Sequence, residues 1–154
     1  MIVNTVYGDI IKMGKDGYFD GIIQGCNCQN KMKLGLAARI ARSFPEVNEL
    51  DQMTTRGDIS KLGTYQYIEY DMYPRPLTVI NAYTQKYYGR YGKYVSEQAV
   101  ATIFHNLNEE FGNDSFTLGI PLIGCGYGGG DWNIIQQIIN DMTPNLDLIL
   151  VLKE

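Results

Sequence analysis

Between Ile120 and Trp132 the chain reads I-P-L-I-G-C-G-Y-G-G-G-D-W, and Gly124, Gly126, Gly128, Gly129 and Gly130 fall within seven residues. Glycine loses more backbone freedom on folding than any other residue. This density therefore marks backbone that must come close to something or present its N–H groups bare. An apolar strand pattern precedes the run, and a helical pattern of Ile134, Ile135, Ile138, Ile139 and Met142 follows it. Unpaired N–H groups and the positive end of a helix dipole make such a turn an anion site. The chemistry expected is recognition of a phosphate-bearing ligand, with a tight turn that binds nothing as the alternative. Gly124, Gly126 and Gly129 match the G-x-G-x-x-G spacing. The run lies too near the C-terminus, however, for the second βαβ unit and acidic ribose ligand of a dinucleotide fold. No G-x-x-x-x-G-K-[S/T] is present, which argues against a P-loop kinase or ATPase.

A second loop of similar character runs from Gly25 to Ala38. Gly35, Ala37 and Ala38 would let a ligand approach the backbone at a helix start. Asn27 and Gln29 are neutral hydrogen-bonding groups suited to ribose hydroxyls or to orienting a water, although Asn27 also suits a plain turn. Lys31 and Lys33 would meet phosphate or stay solvated. Asp131 has two readings, helix N-cap or general base toward a phosphoester-bound water. Asp9 would either begin a turn or accept from the exocyclic amine of a purine. His105 falls on the polar side of a long helix. No nucleophile elbow, H-E-x-x-H or Ser/His/Asp spacing points to another hydrolase chemistry.

The chain has 154 residues, 45% hydrophobic and 19% charged, as expected of one ordinary globular domain over residues 1–154. A net charge of −4 argues against bulk electrostatic binding of nucleic acid but leaves a small anion held by amides possible. Cys26, Cys28 and Cys125 are odd in number, and no secretory signal is visible, so a reduced cytoplasmic setting is expected. C-x-C plus one distant Cys is a poor zinc set, so no metal is expected. No apolar run reaches the length of a membrane span.

Strands are expected at Ile2–Val6, Gly21–Cys26, Thr64–Tyr70, Leu77–Tyr83, Phe116–Ile123 and Leu146–Leu152. Helices are expected at Leu34–Phe44, Glu46–Met53, Ser96–Phe111 and Trp132–Met142. Alternation of this kind implies an α/β three-layer α/β/α sandwich around a six-stranded, mostly parallel, mixed sheet. The loops at Gly8-Asp9, Cys26–Leu36, Tyr83–Tyr88 and Gly124–Asp131 all follow strand ends, where ligands gather in such sheets.

Together these pieces resemble the macrodomain family, whose members bind ADP-ribose. Gly8-Asp9-Ile10 looks like the family's G-D-I. Asn27-Cys28-Gln29, Met32-x-x-Gly35-Leu36-Ala37 and Phe44-Pro45-Glu46 look like the first ligand loop and its helix. Asn81-Ala82-Tyr83-Thr84-Gln85 resembles the strand end beside the distal ribose, and Ile120 to Trp132 the diphosphate loop. The resemblance spans essentially the whole chain. Its nearest branch is the small stand-alone macrodomains of phages, bacteria and fungi, described as ADP-ribose 1″-phosphate phosphatases. A sister branch that frees glutamate side chains uses a Lys and an Asp where this chain has Gln85 and Gly128. The resemblance thus implies a metal-free and cofactor-free phosphatase releasing phosphate from ADP-ribose 1″-phosphate. A non-catalytic ADP-ribose-binding module is one alternative, and a hydrolase acting on ADP-ribosylated protein or nucleic acid is another. It implies catalytic roles for Asn27 and Asp131. It implies ligand contacts from Asp9, Ile10, Gln29, Lys33, Leu34, Gly35, Leu36 and Gln85, and from the run Gly124, Cys125, Gly126, Tyr127, Gly128, Gly129 and Gly130. The partner expected is ADP-ribose or its 1″-phosphate, bound by a monomer.

Overall fold

A computed structural model describes residues 1–153. Six strands form one sheet in the order β1-β6-β5-β2-β4-β3. They are β1 Ile2–Tyr7, β2 Gly21–Asn27, β3 Tyr65–Tyr70, β4 Leu77–Gln85, β5 Thr117–Ile120 and β6 Asp147–Leu152. All neighbours run parallel except β3, which pairs antiparallel to β4 at one edge. The central strands β2 and β4 are buried almost throughout, which is why their sequences read as continuous apolar runs.

Helices α1 Ile10–Lys15, α2 Gly35–Ser43 and α3 Pro45–Gln52 cover one face of the sheet. Ile10, Ile11, Ile40, Phe44 and Val47 pack there on Ile22, Leu77, Val79 and Val151. Helices α4 Glu97–Phe111 and α5 Trp132–Met142 cover the other face, placing Val100, Ile103, Phe104, Ile135 and Ile139 on Ile23, Ile80, Leu118 and Leu148. The result is the expected α/β/α sandwich.

Two sequence expectations need correction. The strand expected over Phe116–Ile123 spans only Thr117–Ile120. Pro121 has no N–H to give to a ladder, and the chain turns at once, with Ile123 N–H donating to Pro121 O at 2.7 Å. Helix α1 has no counterpart among the four expected helices. Its six residues carry too little periodicity to stand out, and Asp9 fixes its start by accepting from the N–H groups of Ile11 and Lys12. Gly14 inside it permits close packing, since a Cβ there would sit 3.2 Å from Ile22 Cγ2.

Candidate functional site

The parallel strands end at a cavity of about 520 Å³. The ends of β2, β4, β5 and β6 open onto it, and two loops form its walls. One wall is the β2–α2 loop, contributing Asn27, Lys31 and Lys33 to Leu36. The other is the β5–α5 loop, contributing Pro121 to Gly128. Gln85 at the end of β4, with Tyr88 and Gly89 just after it, and Val151, Leu152 and Lys153 at the end of β6 complete the lining.

Charge in this lining has one sign. Lys31, Lys33 and Lys153 line the cavity, and among the described residues no carboxylate does. The chain as a whole carries −4, so the local excess of cations is set by how the fold sorts its side chains. Hydrogen bonding sharpens the picture. Helix α2 begins at Gly35 after Leu34, whose side chain cannot cap it. Its first intrahelical donor is Ala38 N–H, to Leu34 O. The N–H groups of Gly35, Leu36 and Ala37 therefore have no partner, as at any uncapped helix start. Gly35 adopts φ +55, which glycine tolerates and most residues do not.

Across the cavity the glycine loop divides its amides. Cys125, Gly129 and Gly130 donate to Leu122 O, Gly126 O and Gly124 O at 3.0, 3.1 and 2.8 Å, holding the loop's own shape. Gly126, Tyr127 and Gly128 have no such partner among the described residues. The loop is anchored behind, because Tyr94 and Val95 N–H both donate to Gly128 O. A Cβ on Gly128 would meet Gly124 O at 2.5 Å, and one on Gly129 would meet Gly92 O at 2.2 Å. Two unpaired amide triplets thus face one cavity beside three lysines. This arrangement suits an anion with several oxygens.

Of the residues singled out from sequence, Asn27, Lys33, Leu34, Gly35, Leu36, Gln85 and Gly124 to Gly128 line this cavity. The others lie elsewhere. Gly129 and Gly130 fold behind the loop. Asp131 is exposed and caps α5, accepting from Asn133 N–H at 3.0 Å. Gln29 turns away to donate to Lys86 O at 3.3 Å. Asp9 caps α1 and pairs with Arg39 at 2.5 Å, and neither it nor the buried Ile10 reaches the lining. Burial pushes the Asp9 carboxyl up, but the Arg39 guanidinium and the amides of Lys12 and Ile11 outweigh it and hold the pKa below its ordinary value. His105 is exposed on α4.

Asn27 is held by its own loop. Its Oδ1 accepts from Gln29 N–H at 3.0 Å and Lys31 N–H at 3.3 Å, and its Nδ2 donates to Lys31 O at 3.0 Å. One N–H of the carboxamide remains for the cavity. Cys125 lines the wall as a protonated thiol. Burial, and then the nearby Asp131 charge, push its pKa up to about 11. All three cysteines are free, and no cluster of potential metal ligands occurs among the described residues.

Sequence reasoning missed the support beneath the first loop. Lys61 is buried, and its Nζ donates to Asn30 Oδ1 at 2.6 Å and Thr54 Oγ1 at 3.0 Å. Asn30 Nδ2 donates to Thr54 O, and Gly57 N–H to Cys28 O at 2.7 Å. Beside them Asp51 accepts from the Tyr83 hydroxyl at 2.6 Å. Burial pushes the Asp51 carboxyl up, against smaller downward pulls from the Tyr83 hydroxyl and the Lys61 charge. Lys61 and Asp51 lie in unremarkable polar stretches, so only the fold could reveal them.

The architecture is that of macrodomains. The chain superposes on the macrodomain of Thermus aquaticus DarG with a TM-score of 0.70 over 99% of this chain and 98% of that one, at 17% identity. It superposes on Thermosipho africanus DarTG in complex with ADP-ribose with a TM-score of 0.72 at 16% identity, covering 97% of this chain and 42% of that one. An Oceanobacillus iheyensis macrodomain with ADPR gives 0.63 at 16% identity, covering 96% of this chain and 83% of that one. No family model matches the chain. By sequence it belongs to the family of an uncharacterized 17.5 kDa protein from the tk–vs intergenic region of Enterobacteria phage T4. The two are 34% identical over 155 residues, which cover 98% of this chain and 96% of that one.

Proposed function

We propose that this cavity binds ADP-ribose, gripping the diphosphate between the amides of Gly35 to Ala37 and those of Gly126 to Gly128. The observation that carries the reading is the opposition of these two unpaired amide triplets across a cavity whose only charged side chains, among the described residues, are lysines. Two solved structures on which this fold superposes, Thermosipho africanus DarTG and an Oceanobacillus iheyensis macrodomain, are complexes with ADP-ribose. Three free cysteines fit a reducing, cytoplasmic setting.

The reaction we assign to the same cavity is hydrolysis of ADP-ribose 1″-phosphate. Water attacks phosphorus, the bond between phosphorus and the C1″ oxygen breaks, and the proton that the water gives up ends on that oxygen. Preorganised amide donors stabilise the charge on the departing phosphate, an effect worth ~3–4 kcal/mol for a single donor. Asn27 would position the distal ribose or the attacking water with its remaining N–H. Asp131, the candidate base, is engaged as the α5 cap and does not line the cavity. That same lack of a carboxylate favours a second reading, a module that binds ADP-ribose and turns nothing over. Calorimetry with ADP-ribose beside phosphate release from the 1″-phosphate separates the two. Release that vanishes in Asn27→Ala supports the phosphatase. Binding without release supports the reader, and no binding at all rejects both.

A further inference from the structure

Inside the cavity wall, at the C-terminal half of β2, sits a polar side chain that neither loop accounts for. Gln24 is 1% exposed and lines the cavity. Its Nε2 donates to Asn81 Oδ1 at 2.8 Å on the neighbouring strand β4. Asn81 in turn donates through Nδ2 to Val47 O at 3.0 Å and Gln66 Oε1 at 3.2 Å. The direction of this relay is fixed at its far end. A backbone carbonyl only accepts, so Asn81 must turn its amide nitrogen toward Val47 and its oxygen toward Gln24. Gln24 must then offer its nitrogen to Asn81, which leaves Gln24 Oε1 as the free end. That oxygen is buried and has no hydrogen-bond partner.

A buried acceptor without a donor is costly, and natural proteins keep few of them. We propose that Gln24 Oε1 is a specificity determinant of the cavity, accepting a hydrogen bond from a sugar hydroxyl of the bound ligand. This inference rests on the reading of the cavity as an ADP-ribose site. The diphosphate offers only acceptors; the ligand's donors are its sugar hydroxyls and the adenine amine, and the sugars are the groups attached directly to the diphosphate that the two loops flanking Gln24 would hold. Met32 packs against the same carboxamide, its Sδ accepting from Gln24 Nε2 at 3.7 Å. Met32 belongs to the first ligand loop, and an unbranched thioether repacks at small cost when a ligand group displaces it. The lysines and amides thus select for phosphate, and Gln24 selects for the hydroxylated sugar attached to it.

The test is calorimetry of the wild-type chain and Gln24→Met with ADP-ribose, ADP and analogues of each lacking single ribose hydroxyls. The wild type should prefer one hydroxylated ligand over its deoxy analogue roughly tenfold. Gln24→Met should lose that preference while binding the deoxy analogue as the wild type does. A preference seen with ADP as well as ADP-ribose places the hydroxyl on the adenosine ribose, and one seen with ADP-ribose alone places it on the distal ribose. Equal weakening of hydroxylated and deoxy ligands in Gln24→Met means a merely structural role and overturns the inference. So does a wild type that binds ADP-ribose with no hydroxyl preference. A wild type that binds no ADP-ribose rejects the reading of the cavity itself. If Gln24→Met does not fold, the wild-type Gln24 side-chain carbonyl resonance decides. It should move with the hydroxylated ligand and stay unmoved with the deoxy analogue; equal movement with both overturns the inference.

Discussion

Lys61 Nζ donates to Asn30 Oδ1 at 2.6 Å inside the protein, far from any solvated surface role. Asn30 has φ +58 and lies three residues beyond Asn27, in the loop that forms one wall of the cavity. A cation from the short 3-10 turn Ile59–Lys61 therefore braces a loop residue 31 positions earlier in the chain. The cavity wall is braced by a residue that does not itself line the cavity.

Lys61→Met should expose this dependence. It removes the ammonium from which both Asn30 Oδ1 and Thr54 Oγ1 accept, leaving Asn30 Oδ1 only the longer 3.3 Å contact from the Thr54 hydroxyl, and a poorly met buried polar group costs about 1–3 kcal/mol. Thermal unfolding should fall accordingly, and ADP-ribose affinity should fall with it as the first loop loosens. An unchanged melting temperature would show that the loop holds its shape without Lys61.

The glycine loop should separate shape from binding. A Cβ on Gly126 meets nothing within 4 Å, whereas one on Gly129 meets Gly92 O at 2.2 Å at a residue with φ +72. Gly126→Val should keep its melting temperature, because the added side chain stands in open space on the cavity wall, yet weaken ADP-ribose binding. Gly129→Ala should lose more than about 1 kcal/mol of stability from backbone strain alone. Comparable unfolding temperatures for the two variants would contradict this division.

Asp51 should make stability fall as pH rises. Burial raises its folded-state pKa above the ordinary 3.8, so between those two values the folded state holds more protons than the unfolded one. Its contribution is fully present below pH 3.8 and is lost as pH climbs through the folded pKa. Asp51→Asn keeps an oxygen for the Tyr83 hydroxyl and removes the titration. Its melting temperature should vary less than the wild type's over that window, and parallel curves would refute the assignment.

Cys125 should react slowly despite facing the cavity. Its thiol is held up to about 11, so little thiolate exists at neutral pH. Alkylation followed by mass spectrometry should accelerate as pH approaches that value. Asp131→Asn removes a nearby negative charge and should increase the rate at fixed pH. Fast modification at pH 7 would show the thiol to be less shielded than its burial implies.

The alternation of strand and helix and the two loops at strand ends, one glycine-rich and one opening a helix, were legible along the chain. Each rests on local signals, namely glycine density, apolar period and the caps Ser96 and Asp131, which act within a few residues. Helix α1 and the true end of β5 were not. The first is too short to show a period, and the second turns on a proline inside an apolar run.

What the amino-acid order could determine by itself was that two loops at strand ends would present bare amides. The tertiary structure alone decided which of those amides stay bare. Gly129, Gly130 and Cys125 spend theirs on the loop, because carbonyls of Gly126, Gly124 and Leu122 fold back to meet them. It alone also decided that three lysines and no described carboxylate line the cavity, that Lys61 braces Asn30, and that Val47 orients Asn81 and so frees Gln24. Lys61 and Asn30, Asn81 and Val47, and Gln24 and Asn81 lie 31, 34 and 57 residues apart, and contact at that range follows from how strands pair and layers stack, which no local pattern encodes.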